Sequence, residues 1–190
     1  MEYSEDLYGH FHKYHVAVDN IIFGFDGKDL KILLIKRGFE PEKGTWSLMG
    51  HLLKPNESVD EAANRVLFEL TGLKNVFVEQ LHTFGEIKRD PVARTISIAY
   101  YALIRVDDYD IELGKNYEAQ WFVINKHPKL VFDHEQMVQY ALDRLRTKTR
   151  TQPIGFELLP EKFTIPQLRS LYEAIHDKVY DPRNFSRKLN

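Results

Sequence analysis

The sequence predicts an α+β fold, a mixed sheet flanked by helices and followed by a small helix-turn-helix module. Three observations carry that reading. Strand-like runs rich in Val, Ile and Phe lie both early (15–25, 30–37) and mid-chain (76–84, 95–105, 119–124). Helical spacing of apolar residues appears between them after Ser58 and beyond them at 134–148. A passage with two Pro and one Gly, TRTQPIGFELLP at 149–160, then leads into two short amphipathic stretches. Residues 1–148 are therefore expected to form one domain and 149–190 a second.

The first strand, 15–25, ends at Asp26-Gly27, a hairpin signal because both residues tolerate positive φ. LKILLIKR at 30–37 is the returning strand, and Pro41 and Gly44 mark the loop before Trp46. Ser58, with Glu61 three residues on, reads as a capping box. Ala62, Val66, Leu67 and Leu70 form one apolar stripe behind it. After Gly72, residues 76–84 alternate as a strand, and GEIKRDPVAR at 85–94 is a charged loop. TISIAYYALIR at 95–105 is too apolar to have an open solvent face. Asp133 is expected to cap the 134–148 helix, with Gln136 at the capping-box position. In the tail, Thr164 and Gln167 repeat that box ahead of the core stripe Leu168, Leu171, Tyr172 and Ile175. A turn at 176–180 follows, and Asp181 caps a last helix opened by Pro182, whose missing N–H costs nothing there. Phe185 and Leu189 are its inward residues.

At 190 residues, 43% hydrophobic and 28% charged, the chain suits a folded soluble protein. No apolar run approaches the 18 residues of a membrane span, and the acidic, aromatic start is no signal peptide. The absence of Cys excludes thiolate catalysis and Cys-based zinc sites, and fits the cytoplasm. Charge is uneven: from Lys148 onward eight basic residues face five acids, +3, whereas the rest carries −5. A basic tail on an acidic body points to two modules with different partners. His10, His12 and His15 cluster near the start, and alternation would put His10 and His12 on one strand face, but no carboxylate stands paired with them, and they are not taken as a metal site.

The chemistry lies in residues 46–73, WSLMGHLLKPNESVDEAANRVLFELTGL. Glu57, Arg65, Glu69 and Gly72 stand at the offsets of the Nudix box, G-x5-E-x7-R-E-U-x-E-E-x-G-U, which this stretch resembles. Trp46, Leu48 and Gly50 fit the usual approach to it. A complete box puts three Glu on one helix face, where they hold Mg²⁺ against a diphosphate. Here His51 replaces the box Gly, and Val66 and Leu70 replace two of the Glu. Glu69 alone leaves only a weak Mg²⁺ site, and no cofactor is required of such a chain. Glu57 and Arg65 read either as box remnants or as an ion pair fixing loop to helix, and the ion pair is preferred. His51 and Glu69 become candidates to line a remodelled ligand pocket.

With box and tail both in view, the chain resembles the Nudix-related bacterial transcriptional regulators. IKRGFEP, FGEIKRDPVAR, ISIAYYALI, VFDHEQM, PIGFELLPEKFT and DPRNFSRKL, in that order, carry the likeness over nearly the full length. The resemblance implies a Nudix α/β/α sandwich joined to a winged helix-turn-helix. It implies operator DNA and a small-molecule effector, a pentose or ADP-ribose, as partners of a homodimer, with no membrane. The degraded metal site favours the pentose, a ligand that needs no diphosphate clamp. Arg37, Phe39, Trp46, Phe84, Arg89, Asp90 and Tyr101 become candidate ligand-binding residues on this resemblance. By residue type alone, Arg89-Asp90-Pro91 equally reads as a turn with a local ion pair, and Trp46 and Phe84 as core. Arg183, Asn184, Arg187 and Lys188, with Lys178 from the turn, match the recognition-helix region; the alternative is a solvated helix face. The family's β-hairpin wing is expected beyond Asn190, where this sequence stops, so the winged helix reads as truncated. The expectation is a catalytically inert regulator, with an active hydrolase of ADP-ribose or another nucleoside diphosphate sugar as the alternative.

Overall fold

Eight consecutive buried positions, 18–25, make the first strand the spine of the sheet. The computed structural model describes residues 9–109, 115–152 and 154–188. Its strands are β1 (His15–Phe25), β2 (Leu30–Lys36), β3 (Trp46–Ser47), β4 (Met49–Leu52), β5 (Phe77–Phe84), β6 (Thr95–Leu103) and β7 (Gln120–Val123). The path through the sheet is β3-β2-β1-β6-β5, with β4 also on β1 and β7 on β2. β2 and β4 share one edge of β1, at 22–25 and 17–20 respectively. β6 runs parallel along the other, from His15↔Thr95 to Phe23↔Leu103. Both faces of β1 and β6 are covered, which is why neither run alternates with polar residues. Gly24 is required by this packing, since a Cβ there would lie 2.7 Å from the Trp121 ring.

Helix α1 (Val59–Thr71) covers one face. Its Ser58–Glu61 capping box is complete, and it stops at Gly72, whose φ of 70° suits glycine. Ala62, Ala63, Val66, Leu67 and Leu70 pack on Val18, Ile22, Met49 and Tyr100. Full burial of each Val or Leu stabilises by about 1.5–3 kcal/mol.

Helix α2 (His134–Thr151) covers the opposite face, with Met137, Val138, Ala141, Leu142 and Leu145 against Ile21, Phe23, Tyr101 and Leu103. At 18 residues it is about 27 Å long. It runs past the expected end near Lys148, because Thr149 remains buried and bonds back to Leu145 O. The same core continues into the tail through Leu168, Leu171 and Ile175 of α3 (Ile165–His176) and Phe185 of α4 (Pro182–Lys188). Two polar bonds reinforce that join: Arg146 Nε donates to Ile175 O (2.8 Å), and Thr149 Oγ1 lies 3.0 Å from His176 Nε2. Lys148 pairs with Glu79 of β5, with Arg144 Nη1 3.6 Å from the same carboxylate.

Two local features differ from expectation. The 46–52 segment forms two short strands, because residues 49–52 complete the edge of β1 below β2. Asp133 occupies the N-cap position of α2 without capping it, since its carboxylate is engaged elsewhere.

Candidate functional site

The box helix holds its charges in a private network. Arg65 donates through Nε and Nη2 to Glu57 (2.8 and 2.7 Å) and through Nη1 to Glu69 (3.2 Å). The bidentate guanidinium holds the Glu57 carboxyl down at about 2. Glu57 also accepts from Lys54 N (2.8 Å), so this pair ties the loop to the helix. Val66 and Leu70, at the two missing Glu positions, are both 0% exposed in the core. The residues therefore do not fit a Mg²⁺ clamp. One carboxylate is left, Glu69, and it is shared with Arg65; among the described residues no three metal-ligating side chains gather.

A second polar cluster lies on the other face of the sheet, and most of its side chains carry no recognisable motif in the sequence. On β1 the odd positions face α2 and the even ones α1, so adjacent Asp19 and Asn20 point to opposite layers. Asn20 Nδ2 donates to Ala63 O of α1 (2.9 Å). Asp19 sits beneath Gly50, where a Cβ would come within 1.9 Å of its Oδ1, and accepts from Ser97 Oγ of β6. Arg89, from the 85–94 loop, has a side chain only 5% exposed. It donates from Nε and Nη2 to both oxygens of Asp133 (2.8 Å each), with Asp19 Oδ2 3.9 Å away. His134, the first residue of α2, accepts Leu48 N–H at Nδ1 (3.2 Å) with Asp19 3.8 Å from Nε2. Burial lowers its pKa, and Nδ1, as the acceptor of the Leu48 N–H, carries no proton.

The cluster is bordered by Arg37, whose guanidinium lies over Phe39 (4.5 Å) and Phe132 (5.2 Å) and donates to Pro41 O. Burial lowers the Arg37 pKa, while Asp19 and Asp90 act in the opposite sense. Phe132 has φ of 50°, uncommon for a non-glycine residue and concentrated at functional sites. Asp90 spends its carboxylate on its own turn, accepting from Val92 N (2.9 Å) and Thr95 Oγ1 (2.9 Å).

The candidate ligand residues thus separate. Arg37, Phe39, Arg89 and Asp90 come together at the N-terminus of α2. Trp46 packs edge-on against Phe122, and its carbonyl accepts from Val131 N (3.1 Å), beside this site. His51 is exposed and pairs with Val18, on the α1 face with Glu69. Phe84 is buried beside Tyr140 of α2, and Tyr101 is fully buried against Phe77. Those two rings are core under α2, because their strand positions point into that layer. The sequence did carry a signal for the cluster: two polar residues, Asp19-Asn20, inside an apolar strand.

In the tail, Asp181 Oδ1 accepts from Asn184 N (2.8 Å), and Phe185 docks on Tyr172 and Tyr180. That docking leaves Arg183, Asn184 and Arg187 exposed, with Arg187 Nη2 3.4 Å from Asn184 Oδ1. Lys178 is exposed on the turn; the side chain of Lys188 and residue Leu189 lie outside the described residues.

Residues 13–141 match the model of the NUDIX domain, and residues 155–190 that of the NrtR DNA-binding winged helix domain. An ADPR responsive transcriptional repressor NtrR of Acinetobacter baylyi is 33% identical over 178 residues, covering 92% of this chain and 71% of that protein. An ADP-ribose pyrophosphatase of Methanocaldococcus jannaschii is 39% identical over 125 residues, 65% of this chain and 70% of that one. Shewanella oneidensis NrtR, solved with a 27mer DNA, superposes with a TM-score of 0.84 at 28% identity, over 92% of this chain and 81% of that one. Its NUDIX domain complexed with ADP ribose superposes at 0.60 and 26% identity, over 75% and 99%.

Proposed function

Because this chain belongs to the NUDIX family and joins that domain to an NrtR winged helix, we propose that it is an ADP-ribose-responsive transcriptional repressor. The observation that carries the proposal is the pairing, in one core, of a box without its metal clamp and an exposed basic helix. ADP-ribose replaces the pentose expected from the degraded box, because the similar repressor responds to ADP-ribose and the similar NUDIX domain was solved with it. The site suits it: Arg37 and Arg89 supply guanidinium groups for a diphosphate, and Phe39, 64% exposed, a ring face for a base. Metal is dispensable here, since guanidinium charge meets the phosphates in place of Mg²⁺.

Arg183, Asn184 and Arg187 contact DNA, Arg suiting phosphates or guanine and Asn adenine. The chain acts as a homodimer in the cytoplasm, where its DNA is. A working pyrophosphatase is the second reading, favoured by the 39% identity to one. Two box carboxylates replaced by core apolar residues weigh against it.

The test is titration of a labelled 27-base-pair duplex, selected from a random pool by the protein itself, with and without ADP-ribose. The expected change in Kd is about 5–150-fold, the usual span of allosteric coupling. An identical Kd in both titrations contradicts the sensor reading.

A further inference from the structure

The two ends of α2 do different work. The N-terminal end carries Asp133 and His134 in the charged cluster. The C-terminal end holds the tail through Arg146, Thr149 and the shared core. Resting on the ADP-ribose reading above, we propose that the Arg89–Asp133 ion pair is a clamp that the effector's phosphate opens, transmitting occupancy along α2 to the winged helix.

The geometry of Asp133 supports this. Asp is among the best N-cap residues, its carboxylate ordinarily accepting from the second or third helical N–H. Here those are the amides of Glu135 and Gln136. Asp133 instead gives both oxygens to Arg89, and no side chain caps the helix. The residue thus has two competing partners, a guanidinium outside the helix and the amides of its first turn. Arg89 has a spare donor too, since the fork on Asp133 engages Nε and Nη2 and leaves out Nη1. A phosphate that binds at Nη1 and draws the fork away from Asp133 exchanges one charge-assisted pair for another. The released carboxylate is then free to cap α2. Asp19 remains near Arg89 and limits how far the guanidinium moves.

Two states follow, clamped and capped, and the effector favours one because it interacts with Arg89 differently in each. That differential is what any ligand-driven shift requires. α2 is long, continuous and packed along its length, so a change of pose at residue 133 reaches residues 146–149 as movement of one body. Asp133 is a positioning residue in this scheme, since it acts on the effector through Arg89.

The experiment uses the full chain and three proteins: wild type, Asp133→Ser and Asp133→Asn. Both substitutions retain capping ability and lose the charged clamp. The ADP-ribose-dependent ratio of Kd for the selected 27-base-pair duplex is expected to fall to within twofold of unity in both variants. ADP-ribose itself is expected to bind them a few-fold more tightly, because its competitor for Arg89 is gone. Amide exchange supplies a readout on the wild type alone: ADP-ribose should protect the Glu135 and Gln136 amides.

A variant that keeps the wild-type ratio overturns the clamp, as does loss of ADP-ribose binding in the variants. Unchanged exchange at 135 and 136 in the liganded wild type overturns it even where a variant fails to fold. A wild type whose DNA affinity ignores ADP-ribose overturns the sensor reading itself, and the clamp with it.

Discussion

Replacing Leu70 by Glu destabilises the chain by about 3–5 kcal/mol, the cost of an uncompensated buried charge, and restores no hydrolysis. The substitution returns a carboxylate to a position where the Nudix box has one. In this chain the position is 0% exposed, among Val18, Ile22, Met49 and Tyr100. No cation waits there, because Arg65 already serves Glu57 and Glu69. Denaturant unfolding of the variant reads the loss as a lower midpoint. A variant of wild-type stability whose melting temperature rises with Mg²⁺ would show that this helix face is open to metal.

The double substitution Arg183→Ala, Arg187→Ala weakens DNA binding on the order of 100-fold, with each guanidinium contributing about 1–3 kcal/mol. It leaves thermal stability nearly unchanged, since exposed positions away from packing contribute within about 0.5 kcal/mol. Both residues are exposed, whereas the docking of α4 depends on Phe185. If both touch phosphates, the slope of log K against log salt becomes shallower by about 1.8. Anisotropy titrations at several salt concentrations measure this. An unchanged slope and affinity would make α4 a solvated face.

Much of the fold was legible because it is locally encoded. The Ser58–Glu61 and Thr164–Gln167 boxes, the Gly72 stop and the two-sided apolar runs of β1 and β6 are short-range signals, and each is realised. The basic surface of α4 was legible for the same reason, since Asp181, Pro182 and Phe185 fix its start and its inward side. The charged cluster was legible only in part, through Arg89 and the polar pair Asp19-Asn20. The bonded pairs Asp19–Ser97 and Arg89–Asp133 are 78 and 44 residues apart in the chain and meet only through tertiary packing. Asp133 shows the limit sharply. Its local context reads as a helix cap, and a long-range guanidinium overrides that preference. Tyr101 and Phe84 entered the candidate list by family likeness; both are buried on the α2 face, where Phe84 pairs with Ser97 of the cluster.

In the proposed reading an enzyme's frame serves as a metal-free sensor. Calorimetry of ADP-ribose binding to the full chain, in EDTA and again in Mg²⁺, tests it most directly when the nucleotide is analysed afterwards. The same Kd in both buffers, with ADP-ribose recovered intact, is the predicted result. Binding that requires Mg²⁺, with AMP and ribose phosphate released at ordinary enzymatic turnover, would contradict it.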